Sequence, residues 1–445
     1  MSNADRTTLQ IAEEATFGTA PASNYLKSRF TSESLTRETT TTNSATIRPD
    51  RNIEDVVRTG CSASLELTSE FDLSTNMELD LMEAAVGAAS SSVIVATVVD
   101  VNSGSDEFDV LAYNAAPSVG EPTHGIHKTQ GNPSLTVGFT AGDWIRIETP
   151  DNSASTVGSQ AQGGIQGGGY FRILSTTSTA LDLEGSKILA NATLSNNTLF
   201  RTHDLEFQNG VAERSFTVQK SFNDVDSGEG MQGTGMTIDS LSLSVSPESI
   251  ITKSITFQGQ NATHLSGLTG SGAAAPTAEI LNAIDHVAGI YAKTGTTGQA
   301  ARLTPLSGVT SFEINIQNNL RARNQVGSLG PASFGQASIN VNGSITVYYD
   351  SNASNIIETL YDGFEDGSLA IVFEAAKVNA GSGYVDDTTK NPTPALCIYM
   401  PRVKFTGATR NATGTGTDVM AELQFQAFYS PATSTMETLS MRYFL

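Results

Sequence analysis

A chain of 445 residues exceeds what one hydrophobic core organises, and its abundant Ser, Thr, Asn and Gly beside only 14 Pro fit many short strands joined by turns. A net charge of −21 excludes a protein that grips a nucleic-acid backbone through clustered Lys and Arg, though not a surface that nucleic acid slides past. Two cysteines, Cys61 and Cys397, exclude a disulfide framework, and no run reaches the ~18 apolar residues of a membrane span.

Residues 1–29 read as an N-terminal arm with a short helical turn near ADRTTLQIAEE, and MSNADRTTLQ has neither the basic nor the apolar region of a leader. Strands begin at residue 30 with FTSESLTRE, followed by a charged polar stretch up to Gly60. CSASLELTSEF then puts Cys61, Ala63, Leu65 and Leu67 on one phase and Ser62, Ser64, Glu66 and Thr68 on the other, the period of a half-buried strand. LSTNMELDLMEAAVG is a short helix, with Ser74 or Thr75 as cap, Met77, Leu81, Met82 and Ala85 on one face, and Gly87 closing it. Residues 91–200 hold SVIVATVVDV, EFDVLAY, FTAGDWIRIE, GGYFRIL and TALDLEG, short strands predicted to form a small β-barrel inserted in a loop and projecting from the body. Residues 201–263 return to strands in RSFTVQKSF, DSLSLSV and IITKSITFQGQ, and 264–305 read as a Gly- and Ala-rich linker.

From residue 306 to 445 the same order returns. TSFEINIQ and a long polar loop precede the alternating ASINVNGSITVYYD and the helical NASNIIETLYDGF, whose Ile356, Leu360 and Tyr361 stand where Met77, Leu81 and Met82 stood. Leu65 and Leu67 match Ile345 and Val347; further on, ALCIYMPR and VKFTGA are set against RSFTVQKSF and DSLSLSV, and Leu423 and Phe425 match Ile255 and Phe257. The shared order predicts a tandem duplication: one discontinuous unit over 30–90 and 201–263, a second over 306–445.

Little in the chain points to catalysis. HGIH, His124 to His127, lacks the HExxH spacing and a third ligand; QGGIQGGGY lacks the Lys and the βαβ setting of a phosphate loop; Asp224, Asp226 and Glu229 form an acidic turn; no GxSxG elbow has a His partner. The expectation is a protein that is not an enzyme and carries no cofactor or metal. More distinctive is the polar phase of the repeated strands: Ser62, Ser64, Glu66 and Thr68; Ser240, Ser242, Ser244 and Ser246; Thr252, Ser254, Thr256 and Gln258; Asn340, Asn342, Ser344 and Thr346; Glu422, Gln424 and Gln426. It contains hydroxyls, amides and carboxylates and no Lys or Arg, whereas exposed strand faces ordinarily mix in cations.

The run RFTSESLTRETTTTNSATIRPDRNIEDVVRTGCSASLELTSEFD, the pair DSLSLSVSPESIITKSITFQGQNAT, the segment NNLRARNQVGSLGPASFGQASINVNGSITVYY, and MPRVKFTGAT with DVMAELQFQAF together resemble the tail tube proteins of long, non-contractile-tailed bacteriophages. That resemblance implies a mainly β chain: tandem β-sandwich units, each with a short flanking helix, whose inner sheets join across subunits into a barrel around a DNA channel. It further implies three chains per pseudohexameric ring; rings stacked into a tube with tail tip, tape-measure and tail terminator proteins; location in the virion tail after assembly in the host cytoplasm; and no membrane. The polar phase then faces the lumen: Ser62, Ser64, Glu66, Thr68, Thr252, Ser254, Thr256, Gln258, Asn342, Ser344, Thr346, Glu422, Gln424 and Gln426. The loops 36–59 and 319–336, with Arg37, Arg48, Asp50, Arg51, Glu54, Asp55 and Arg58 in the first and Arg321 and Arg323 in the second, are implied contacts between rings. Assembly is expected to survive deletion of 91–200. A different class stays open, a β-rich decoration or adhesion protein on a capsid or cell surface.

Overall fold

The structure, a computed structural model, describes residues 4–73, 77–89, 98–100, 107–130, 135, 138–148, 165–193, 199–225, 228–270, 278–375, 394–411, 418–431 and 437–444. The cap assigned to Ser74 or Thr75 lies outside them. The fold is mainly antiparallel β, and its principal elements form two series in the same order. The first comprises β1 (Thr7–Glu13), β2 (Thr36–Asn43), β3 (Val56–Glu70), α1 (Met77–Ala85), β4 (Phe216–Phe222), β5 (Gly230–Val245), β6 (Thr252–Gly259) and β7 (Asn261–Leu265). The second comprises β8 (Val287–Ala292), β9 (Val309–Gln317), β10 (Asn340–Tyr348), α2 (Ser351–Asn355), β11 (Gly367–Glu374), β12 (Ala395–Asn411), β13 (Met420–Ala427) and β14 (Ser440–Phe444).

Each copy packs two layers. The inner layer runs β2-β3-β6-β5 in the first copy and β9-β10-β13-β12 in the second. The outer layer runs β1-β4-β5-β7 and β8-β11-β12-β14. The long strands β5 and β12 pass from outer to inner layer, and each carries a bulge at the matching place, between Ile238 and Ser240 and between Phe405 and Gly407. An extra residue there bends the strand, which is how one strand can serve two layers.

Alternation places the core. Cys61, Ala63, Leu65 and Leu67 of β3 are buried, Ser62, Ser64 and Thr68 are half-buried, and Glu66 is exposed. A slip of one residue would turn the whole apolar set to water, so burial itself specifies the register. α1 buries Met77, Leu81, Met82 and Ala85 over this layer. Gly87 (φ 64°) ends it, where a Cβ would meet the Gly210 carbonyl oxygen at 2.9 Å. In the second copy Asp350 caps α2 by accepting from the Ala353 N–H at 2.9 Å, and Ile356–Tyr361 continue as a π-helical turn that buries Ile356 and Leu360.

Four segments depart from the sequence expectations. Thr7–Glu13 of the arm is a strand paired with β4, and it is anchored by Glu14, a buried carboxylate that accepts from Ser215 Oγ (2.8 Å), Thr217 Oγ1 (2.7 Å) and the Gly235 N–H (2.9 Å). The stretch read as linker supplies β8, which pairs with β11 as β1 pairs with β4, so the second copy contains its own arm strand upstream of residue 306. ALCIYMPR and VKFTGA are one strand, β12, and correspond to β5; the counterpart of RSFTVQKSF is β11. Between α1 and β4, strands from Val98 to Thr202 form a separate eight-stranded sheet around Phe108, Ile126, Phe171, Leu183 and Phe200. This insertion docks instead of projecting. Trp144 and Tyr170 leave its own core for one shared with Tyr291, Val372, Tyr399 and Phe444, so deletion of 91–200 would bare that cluster to water. Within it, Ile165–Thr176 of the Gly-rich stretch is a strand, while 162–164 lie outside the described residues.

Candidate functional site

The two inner layers are joined edge to edge by β5 and β9, with Leu241 opposite Ile316, Ser242 opposite Asn315, Leu243 opposite Ile314 and Ser244 opposite Glu313. One sheet therefore runs β2-β3-β6-β5-β9-β10-β13-β12. Its core face carries the row Leu67, Ile255, Leu241, Ile316, Val341 and Ala427, all buried. Its other face carries the row Thr68, Ser254, Ser242, Asn315, Asn342 and Gln426.

All fourteen residues expected to face a lumen lie on this second face, half-buried or exposed: Ser62, Ser64, Glu66, Thr68, Thr252, Ser254, Thr256, Gln258, Asn342, Ser344, Thr346, Glu422, Gln424 and Gln426. The site assignment omitted Glu313, Asn315 and Gln317 of β9, which complete the rows; their alternation with Phe312, Ile314 and Ile316 was the signal available. Glu66, Glu313 and Glu422 give the face a negative field. The cation Lys404, opposite Gln426, is engaged with Asp366 (3.2 Å) and the Phe364 carbonyl. A surface of this chemistry is well hydrated and repels phosphate at short range.

Two edges of the sheet have no neighbour among the described residues. β2 is exposed along its length and pairs with β3 alone, and the inner half of β12, Gly407–Asn411, pairs with β13 alone. Through the repeat, β2 corresponds to β9 and β12 to β5, the two strands that pair with each other at the junction. The chain thus carries both halves of that junction a second time, unjoined.

The charged loops are not equivalent. Arg37, Arg48, Asp50, Arg51, Glu54, Asp55 and Arg58 are all exposed on the β2–β3 hairpin, whose outer part also exposes Ile47, Ile53, Val56 and Val57. Arg48 grips Asp50 through two bonds of 3.0 and 2.9 Å, and that guanidinium holds the carboxyl down to about 2. The loop 319–336 lies against the first copy of its own chain: Leu329 accepts from the Cys61 N–H (2.9 Å), Pro331 accepts from Gln260 Nε2 (3.0 Å), Phe334 packs edge-on against Phe17, and Arg323 pairs with Glu213 at 3.3 Å, while Arg321 is exposed.

His124 Nδ1 donates to the Leu183 carbonyl (2.9 Å) and Nε2 accepts from the Ile188 N–H (3.2 Å), leaving neither ring nitrogen for a metal. Among the described residues no cluster of His, Cys, Asp and Glu suits a metal ion; Asp226 lies outside them. Cys61 and Cys397 are buried free thiols, the latter with its pKa pushed up by burial. Burial likewise pushes the His124 pKa down. The unfolded chain then accepts a proton that the folded one refuses, so the His124 contribution is complete above the ordinary histidine range near pH ~6.5 and falls as pH drops below it. Urea midpoints measured at pH 7.5 and 5.5 should show this loss, and His124→Gln should shrink it.

The family model described as Phage tail tube protein matches residues 4–427. No curated protein matches the chain.

Proposed function

This chain belongs to the phage tail tube protein family and is a structural protein of the virion tail, and we propose that its copies close into rings by repeating between chains the β5·β9 junction made within each. In this reading the inner half of β12 pairs with β2 of the next chain. Three chains place six inner layers around one axis, and the polar face lines a channel through which DNA leaves. The observation that carries the proposal is the pair of unpaired edges whose repeat counterparts already form a ladder. Ring closure would also remove exposed strand edges, which otherwise promote uncontrolled aggregation. The β2–β3 hairpin, exposed with both charge signs, is left to meet the adjacent ring, where opposite charges would set register. Tail tip, tape-measure and terminator proteins are the other partners in this reading.

Electron microscopy of the purified chain tests it, with rings or tubes expected in the absence of nucleotide or metal. Ala408 is the repeat counterpart of Leu241, which is buried at the within-chain junction. Because Ala408 is only half-buried in the single chain, Ala408→Asp should fold normally and remain monomeric. Rings built by that variant as readily as by the parent, or particles of monomer size at every concentration even with tail-tip proteins added, would overturn the proposal.

A further inference from the structure

We infer that the insertion is a bracket that fixes the second copy against the first and so sets the curvature of the sheet at the β5·β9 junction; its consequence for ring geometry rests on the function proposed above. The insertion is covalently rooted in the first copy, between α1 and β4, yet the contacts that bury it belong to the second. Trp144 packs on Tyr291 and Tyr399 with ring centroids 6.1 and 5.9 Å away, and Tyr170 packs edge-on against Phe444 at 5.4 Å. Arg172 lies 4.8 Å over the Tyr399 ring, and Arg146 reaches Glu374 of β11 at 3.6 Å.

The same surface holds the connection between the copies. Arg302 forks onto Asp182 (3.1 and 2.7 Å) and donates to the Leu183 carbonyl (3.1 Å). The Leu303 N–H donates to Glu184 (3.1 Å), and the Leu303 carbonyl accepts from the Gly185 N–H (3.0 Å). On its way back the chain forms a strand, Leu205–Gln208, that pairs with β14 of the second copy before β4 rejoins the first. A tether rooted in one body and packed into the other by aromatic contacts, the Arg302–Asp182 fork and the Arg146–Glu374 pair restricts the angle between them. A junction between separate chains has no covalent tether of this kind, so a ring built from such chains would flex between chains and stay stiff within each.

Trp144 is the single tryptophan of the chain and is fully buried at the docking surface, so its fluorescence reports docking directly. The full-length parent is titrated with urea while Trp144 emission is followed, alongside amide exchange of Leu241–Val245 and Phe312–Ile316, the junction ladder. Exposure of Trp144 and opening of the ladder should coincide, and Arg302→Ala should move both to lower urea together, with ladder exchange at least tenfold faster than in the parent at the same urea. A ladder that stays protected after Trp144 is exposed, one that opens while Trp144 is still buried, or an Arg302→Ala variant that shifts the Trp144 transition alone makes the insertion a passenger and overturns the inference. These readouts come from single chains, so they stand apart from whether rings form; parent rings alongside variant rings of mixed size would extend the inference to the assembly.

Discussion

A chain carrying Ser64→Lys, Thr256→Lys, Ser344→Lys and Gln424→Lys should fold and assemble, and the tube proposed for it should retard DNA. The four side chains are half-buried or exposed on the face away from the core, so their lysines stand in water and little folding energy is at stake. In an assembled tube they would line every ring with ammonium groups where the parent presents three hydroxyls and an amide. Each phosphate that meets a cation releases counterions, and 6–10 simultaneous contacts change binding on the order of 10³-fold or more between 50 and 200 mM salt. Genome ejection should therefore slow most at low salt and recover as salt rises. The check is the rate of DNA release from particles bearing the variant tail across that salt range. Ejection at the parent rate at every salt would remove this face from the channel.

The reciprocal substitutions, Phe257→Lys or Phe425→Lys on the core face, abolish folding. Both rings are essentially inaccessible, Phe257 edge-on to Phe216 at 6.5 Å and Phe425 stacked with Phe312 at 6.2 Å. Loss of such a ring costs about 3–5 kcal/mol, and an unpaired buried charge adds several kcal/mol more. Against a total stability of roughly 5–15 kcal/mol, that is enough to unfold the chain. Circular dichroism and soluble yield read the outcome. Native-like soluble protein from both core variants, beside unfolded polar-face variants, would mean that the facing of the sheet is inverted.

The alternation in CSASLELTSEF and SITFQGQ was legible because a strand with one wet and one dry face writes its burial into every second residue, and that alone separated Ser64 and Thr256 from Leu65 and Phe257. The order of the repeat and the placement of α1 were legible for the same local reason. Strand partnership was not, because ladder hydrogen bonds join backbone groups that every residue possesses and leave no side-chain pattern. The sequence alone therefore could not show that Thr7–Glu13 pairs with a strand some 200 positions away, that Val287–Ala292 in an apparent linker repeats that role, or that β9 is the strand joining the copies. The two loops likewise hold matching places in the repeat, yet one folds back onto Phe17 and Cys61 and the other is exposed. The docking of Trp144 and Tyr170 was equally hidden: an aromatic in an alternating strand announces that it is buried, and only the tertiary structure decides which neighbouring body buries it.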